Sequence, residues 1–222
     1  MTVTNAWMSI GQYLRMLFLL FATALLSGHA VADDAQDFFH AISFNNPYWV
    51  RDAITHGIDP NLKEATRSDP ALILALREHA MKAFDVLLNA PNIDLEAQST
   101  NGDTVLMVAS YAGNKAAVSA LLNKDVEVNK TGWTALHYAA AVGDCGIIKL
   151  LLDKSAYIDA ESPNKTTPLM MAAREGHIEA VKLLTEEGAD ISLKNEQGLT
   201  AADFAEKFES RELVNSRRST TR

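Results

Sequence analysis

The sequence contains Thr134-Ala-Leu-His-Tyr-Ala-Ala-Ala-Val-Gly143 and, one period later, the matching stretch Thr167-Pro-Leu-Met-Met-Ala-Ala-Arg-Glu-Gly176. The pattern continues at the same spacing as Thr200-Ala-Ala-Asp-Phe-Ala. It also occurs before Thr134, as Thr104-Val-Leu-Met-Val-Ala-Ser-Tyr-Ala-Gly113, and in weaker form as Pro70-Ala-Leu-Ile-Leu-Ala-Leu-Arg-Glu-His79. Self-similarity at such a nearly fixed period indicates a stack of structural repeats.

Each copy has the pattern of a helix–turn–helix unit. The Thr or Pro at its first position opens a helix, and the following Ala residues keep that helix thin enough for close packing. Gly113, Gly143 and Gly176 fall where the chain turns into a second helix, a position that favours positive φ. The second helix ends in a Leu pair: Leu87-Leu88, Leu121-Leu122, Leu151-Leu152 and Leu183-Leu184. Because no unit can bury its own apolar face, we expect Leu121, Leu151 and Leu183 to line one continuous interior.

The register of the repeats predicts the domain layout. Residues 33–66 form an N-terminal capping repeat, which keeps its second half clearly as Val50–Asn61. Each later unit ends in a short extended finger, such as Gly188–Leu193. The predicted stack covers residues 67–210, with units at 67–100, 101–130, 131–163 and 164–196, a closing helix at 197–210, and a basic tail at 211–222.

These motifs resemble the ankyrin repeat, whose signature is T-P-L-H-x-A-A-x-x-G-H followed by L-L-x-x-G-A-D-x-N. Thr167-Pro168-Leu169, with Gly176-His177 and Gly188-Ala189-Asp190, matches closely. Thr134-Ala135-Leu136-His137 matches nearly as well. The resemblance covers about residues 35–210 and implies an all-α solenoid of stacked helix–turn–helix units with short β-hairpin-like fingers. It also implies a monomer that binds another protein.

Some positions depart from the family pattern. The unit at 101–130 is shorter than the others in its finger, between Asn129 and Trp133. The unit at 67–100 carries His79 in place of the turn glycine. The resemblance also implies that His137 and His177 hydrogen-bond backbone between units and have no chemical role.

In ankyrin stacks, partners lie across the fingertips and the inner helices, at positions that the fold does not dictate. The resemblance places the corresponding finger residues of this chain at Asp69, Asp103, Trp133, Thr166 and Leu199. It places the inner-helix residues at Arg77, Glu78, Tyr111, Ala112, Ala141, Val142, Arg174 and Glu175. Trp133 and Tyr111 stand out because aromatic residues and Arg anchor most interfaces. We predict an apolar centre with a charged rim. The alternative for Trp133 is that it packs over the shortened finger.

Composition narrows the class of partner. Hydrophobic residues make up 48% and charged residues 22% of the 222 residues, which argues against disorder. Acidic residues outnumber basic ones by 28 to 20, and the formal charge of −8 gives no long-range attraction for nucleic acid or anionic lipid. We therefore predict a protein partner, with no nucleic acid and no membrane bound by the mature chain.

Residues 1–32 have the pattern of a secretory signal peptide. Arg15 precedes the apolar run Met16–Leu26, and the small-residue pattern Ala30-Val31-Ala32 follows. The rival interpretation is a membrane anchor, but this apolar run is much shorter than the roughly 20 residues that span a bilayer. We expect cleavage after Ala32 and a periplasmic or secreted protein.

No motif of a catalytic or metal site is present. The histidines lack H-x-x-x-H spacing, and no phosphate-binding glycine loop or nucleophile elbow occurs. Cys145, the single cysteine, falls at an apolar position and is predicted to be a half-buried structural thiol. We therefore predict a non-catalytic scaffold or adaptor without cofactor. Two alternatives stay open: an inhibitor or immunity-type protein for a toxin or envelope enzyme, which would use the same surface, and an accessory factor for an exported oxidative-stress enzyme.

Overall fold

The computed structural model describes residues 34–209, where the regular structure is helical. Eleven helices lie in this range, as five consecutive pairs followed by a last single helix. They are α1 (34–43), α2 (Pro47–Thr55), α3 (Ala71–Arg77), α4 (Met81–Leu88), α5 (Val105–Tyr111), α6 (Lys115–Leu122), α7 (Ala135–Val142), α8 (Cys145–Asp153), α9 (Pro168–Glu175), α10 (Ile178–Glu186) and α11 (201–209). The prediction of an all-α repeat fold is confirmed.

The first helix of each unit begins at the Thr or Pro that opens the repeated motif. Thr104 Oγ1 accepts the backbone N–H of Met107 at 3.4 Å, and Thr167 Oγ1 accepts that of Met170 at 3.4 Å. Pro70 occupies the same N-cap position before α3, with a φ of −55°. The threonine oxygen satisfies a free N–H of the first turn, and the preset φ of proline orders that turn. The predicted helix starts are confirmed.

The turn between the two helices of a unit is left-handed. Gly113, Gly143 and Gly176 have φ values of 64°, 71° and 76°, as predicted. His79 adopts a φ of 55° at the corresponding turn, in a region that residues with a Cβ seldom occupy. The glycines also allow close stacking, because a Cβ on Gly143 would lie 2.6 Å from the ring of His177 in the next unit.

One apolar core runs through the described chain, from Phe38 in α1 to Ala201 in α11. Leu121, Leu151 and Leu183, from three successive second helices, are 0%, 0% and 8% exposed and belong to this core. The first helices form an inner layer in which α7 packs on both α5 and α9, and α6, α8 and α10 form a second layer. The predicted continuous interior is therefore confirmed.

The units are joined by hairpin-like fingers. Four of them are closed by a backbone hydrogen bond of 3.0 Å: Glu64 to Asp69, Ser99 to Asp103, Ser162 to Thr166, and Asn195 to Leu199. Isolated β-bridges join Lys63 to Pro70 and Gln98 to Thr104. The shortened finger that precedes Trp133 has no such closing bond within residues 123–134, all of which the structure describes. Instead, Lys130 Nζ donates to the carbonyl of Gly102 in the preceding finger at 2.8 Å.

Both predicted terminal segments, the signal peptide at 1–32 and the tail at 211–222, lie outside the described residues. Between residues 34 and 209, no helix has the length and apolar character needed to cross a membrane. The exact unit boundaries stay predictions.

Candidate functional site

The predicted inner-helix residues lie at the carboxyl ends of successive inner helices. Arg77 ends α3, Tyr111 ends α5, Val142 ends α7, and Glu175 ends α9. Because these helices pack side by side, their ends form one row along the stack. We call this row, with the adjoining finger residues Asp103 and Trp133, the inner face. Its role in binding stays a prediction.

Tyr111 is the most exposed aromatic side chain of the inner face. Its side chain is 62% exposed. Its ring meets that of Tyr138, from α7, edge-on, with centroids 5.9 Å apart and planes at 83°. Edge-to-face contact is a favourable arrangement of two aromatic rings, so Tyr138 holds Tyr111 from the side of the next unit.

Tyr138 is in turn fixed by a finger residue. Its hydroxyl donates to Asp103 Oδ1 at 2.5 Å, a contact between residues far apart in the sequence. Burial, followed by the hydrogen bond to the Asp103 carboxylate, raises the pKa of Tyr138 well above its ordinary value. The hydroxyl therefore stays protonated and remains a donor. Tyr138 was absent from the predicted set, although an aromatic residue on the inner helix beside His137 is a signal that could have included it.

The charged residues at the α3 end of the inner face are paired with one another. Arg77 Nε lies 3.0 Å from Asp69 Oδ2, and Arg77 Nη2 lies 3.9 Å from Asp103 Oδ2. Arg67 Nη2 lies 3.2 Å from Glu78 Oε1. Asp69 is 2% exposed, and its Oδ2 forms an ion pair without the geometry of a hydrogen bond. These contacts remove Asp69 from the surface and leave Arg77 and Glu78 on a rim whose charges partly cancel.

The opposite rim is paired in the same way. Arg174 and Glu175, both exposed at the end of α9, form an ion pair with Nε 2.9 Å from Oε1. Exposed pairs of this kind contribute little to stability or binding, about 0–1 kcal/mol. The centre of the inner face, where Val142 and Ala141 are half-buried next to Tyr111, is therefore its more distinctive part.

Trp133 belongs partly to the fold. It is half-buried against the core, and its ring meets the ring of His137 edge-on at 5.2 Å. Removing the indole would therefore disturb packing as well as any partner contact. Tyr111, which has no such burial, is the better probe of binding.

Two other predicted finger residues, Thr166 and Leu199, are hydrogen-bonded within their own fingers. Thr166 is 4% exposed. Its N–H donates to Ser162 Oγ at 3.0 Å, and its carbonyl accepts from His137 Nε2 at 2.8 Å. Thr166 is thus part of the internal bonding of its finger, and we remove it from the candidate surface as a correction. Leu199 is half-buried in the last finger, where its N–H donates to Asn195 Oδ1.

Both predicted structural histidines bond backbone between units. His137 is fully buried, with Nδ1 3.2 Å from the backbone nitrogen of Thr134 and Nε2 at the Thr166 carbonyl. His177 Nε2 lies 3.0 Å from the carbonyl of Ala141. Burial lowers the pKa of His137 from 6.5 to about 4, against the opposing effect of the bonded carbonyls. The neutral ring therefore accepts at Nδ1 and donates at Nε2.

The remaining candidates for chemistry are isolated. Cys145 is a free, half-buried thiol at the start of α8, as predicted. Residues 34–209 contain no group of three or more His, Cys, Asp or Glu side chains placed to hold a metal ion.

A second exposed region was not predicted from the sequence. Phe44, Tyr48 and Trp49, at the first helix pair, are 74%, 76% and 61% exposed. Terminal repeats of solenoids usually present polar faces, so three exposed aromatic residues in this capping repeat are unusual.

The fold defines a helical repeat protein of the solenoid class. The family model described as ankyrin repeats (3 copies) matches residues 38–129, 72–162 and 147–216, and the chain belongs to this family. Its inner helices and fingers are those of stacked ankyrin units.

The matches to individual relatives cover only a small part of each relative. The human protein "Transient receptor potential cation channel subfamily A member 1" is 27% identical over 162 residues, which are 68% of this chain and 14% of that protein. The human "Ankyrin repeat and KH domain-containing protein 1" is 37% identical over 106 residues, 46% of this chain and 4% of that protein. The chain thus spans a small part of these relatives.

A solved structure supports the same architecture. The crystal structure of the ankyrin repeat domain of Bcl-3 superposes with a TM-score of 0.67 at 27% identity, covering 76% of each chain. The likeness extends over most of the described helices, and it confirms the solenoid.

Proposed function

We propose that this chain is a non-catalytic protein-binding module that holds a partner against its inner face. The observation that carries the proposal is Tyr111, a large aromatic side chain that is 62% exposed near the middle of the stack. Its ring is already held by Tyr138, and Tyr138 is held by Asp103. A rigid aromatic group loses little conformational entropy when a partner covers it, so it is suited to be an energetic anchor.

The neighbouring side chains favour apolar recognition. Ala141 and Val142 extend the surface from Tyr111 along the next unit, and the charged residues at both ends are paired within the chain. A partner gains little from charges that are already neutralised in the free protein. We expect the partner to insert an apolar or aromatic side chain beside Tyr111 and the affinity to depend only weakly on salt.

We also propose that the module acts outside the cytoplasm. The support is the sequence of residues 15–32, with Arg15, an apolar run and the final Ala-Val-Ala. Sequencing the amino terminus of the protein recovered from its source cells should begin at Asp33. A start before residue 16 would contradict this assignment.

The binding proposal is tested by replacing Tyr111 and measuring the capture of partners. Immobilised wild-type protein should retain one or a few proteins from an extract of the source cells, and Tyr111→Ala should weaken that capture by about 1–3 kcal/mol, or roughly 5–150-fold in dissociation constant. The variant should unfold at the wild-type temperature, since the side chain is mostly exposed.

Tyr157→Ala is the matched control. Tyr157 is 67% exposed but lies in the connection after α8 and is not one of the inner-face residues, and its backbone N–H donates to Asn129 Oδ1. The control should capture the same proteins as the wild type. If Tyr111→Ala captures them equally well, or if both variants lose them, the inner face is not the binding surface.

A further inference from the structure

The first helix pair exposes an unusual cluster of aromatic side chains. Phe44, Tyr48 and Trp49 lie close together in the sequence, and all are more than 60% exposed. The other exposed large hydrophobic residues of the described chain, Tyr111, Tyr157, Ile178 and Ile191, are spread over the three units from 101 to 196. A concentrated apolar patch on a folded domain marks a surface that another molecule covers.

The patch borders an acidic groove. Phe44 and Trp49 line an open groove of about 750 Å³ together with Asp34, Asp37 and Asp52 from α1 and α2. His40 and His56 also line it, and His56 Nδ1 lies 3.5 Å from Asp52. No Lys or Arg is among the described residues of the lining. Aromatic faces beside carboxylates suit an arginine, which stacks on the ring and pairs with the acid.

The same chain contains a segment of the complementary character. Residues 211–222 include Arg211, Arg217, Arg218 and Arg222, with Glu212 as the one acidic residue. The body of the protein is acidic, since the whole chain has a formal charge of −8. The basic segment and the acidic groove belong to opposite ends of the stack, one following α11 and the other formed by α1 and α2.

The distance between the ends favours contact between two copies. Arg217 and Arg218 follow the end of α11 by eight and nine residues, so even a fully extended chain carries them at most about 30 Å from that helix. Helices of neighbouring units pack about 9 Å apart, so the five steps from the first helix pair to α11 cover roughly 45 Å. These two arginines fall short of the groove on the same copy, but they can reach the groove of a neighbour.

We propose that residues 211–222 of one copy dock in the groove between Phe44, Trp49, Asp37 and Asp52 of a second copy. The contact is head-to-tail and uses different surfaces on the two copies, so it extends a chain of molecules and does not close a symmetric dimer. It leaves the inner face free and is independent of the partner proposed for that face. Because it depends on charge, raising the salt concentration weakens it.

The proposal is tested by sedimentation of the chain without residues 1–32, which contains every residue of the described core. The wild type should self-associate with increasing concentration at low salt. Trp49→Ala should raise the dissociation constant roughly tenfold, and Asp37→Asn should weaken association in the same direction without removing an aromatic side chain. Tyr157→Ala, with a similarly exposed aromatic residue elsewhere, should associate like the wild type.

A mixing experiment separates this arrangement from other modes of association. The Trp49→Ala chain keeps its basic segment, and the double variant Arg217→Gln, Arg218→Gln keeps its groove. At a concentration where the wild type associates, each variant should be mostly monomeric alone, and their mixture should form a one-to-one dimer that grows no further. A wild type that stays monomeric at about 0.2 mM overturns the proposal, and so does association that survives Trp49→Ala or a mixture that stays monomeric. These outcomes leave the Tyr111 experiment unaffected.

Discussion

A single buried side chain, His137, links two repeats through both of its ring nitrogens. Its neutral form accepts from Thr134 and donates to the carbonyl of Thr166. A second proton would place a charge in the core and put a donor against the N–H of Thr134. The folded state therefore resists protonation, and burial lowers the pKa of His137 from 6.5 to about 4.

This difference makes stability depend on pH. Below pH 6.5 the unfolded chain binds a proton at His137, whereas the folded chain does not until about pH 4. The unfolded state thus binds more protons in this window, and the free energy of unfolding falls as the pH is lowered. We expect a loss of about 1.5 kcal/mol from this residue between pH 6.5 and 5.

The measurement is denaturant unfolding at pH 6.5 and at pH 5, where most carboxylates are still charged. His137→Gln should be less stable than the wild type at pH 6.5 but should lose less stability on going to pH 5. A wild-type free energy that stays flat over this interval would show that the buried imidazole accepts its proton without cost.

At the scale of helices, the repeats depend on one apolar stripe of each second helix. Leu151 in α8 is 0% exposed, while the adjacent Leu150 is only half-buried. Leu151→Ala should cost about 2–5 kcal/mol because it leaves a cavity in the shared core. Leu150→Ala, on the same helix and with the same loss of atoms, should cost about 1 kcal/mol.

Equilibrium unfolding in urea compares the two variants directly. Both remove the same side chain from α8, so the change in helix propensity is equal and the difference reports burial. Equal losses for Leu150→Ala and Leu151→Ala would mean that the second helices do not pack as the structure places them.

Elements whose geometry is set by neighbouring residues could be predicted from the sequence. Thr104 and Thr167 cap helices, and Gly143 adopts the left-handed turn, because cap bonds and φ are local properties. The burial of Leu121 could also be predicted, since the apolar stripe of its helix repeats in every unit.

The side-chain contacts between neighbouring units were harder to predict from the sequence. Tyr138 bonds Asp103 of the preceding finger, and His137 bonds Thr166 of the following one, in each case across about one repeat of sequence. A motif places a residue on its own unit but does not say which side chain of the next unit meets it. The aromatic cluster of Phe44, Tyr48 and Trp49 was missed because the first unit matches the repeat poorly, although three aromatic residues in a terminal cap were a usable signal.

At the scale of the whole molecule, the buried core supports the surface that we propose for binding. The continuous core fixes the inner helices, and the Tyr138–Asp103 hydrogen bond fixes Tyr111 at their exposed ends. The predicted charged rim proved to be paired within the chain, since Arg77 meets Asp69 and Arg174 meets Glu175. On the proposed binding surface, we therefore expect recognition to depend on the aromatic and aliphatic centre.

The most direct measurement of the central claim is site-specific photo-crosslinking in the source cells. A photoreactive phenylalanine analogue placed at residue 111 should give a discrete crosslinked product with a second protein. The same analogue at residue 157, which is similarly exposed but does not belong to the inner face, should give none. Crosslinking from residue 157 with no product from residue 111 would show that the partner binds elsewhere and that the inner face is not the functional surface.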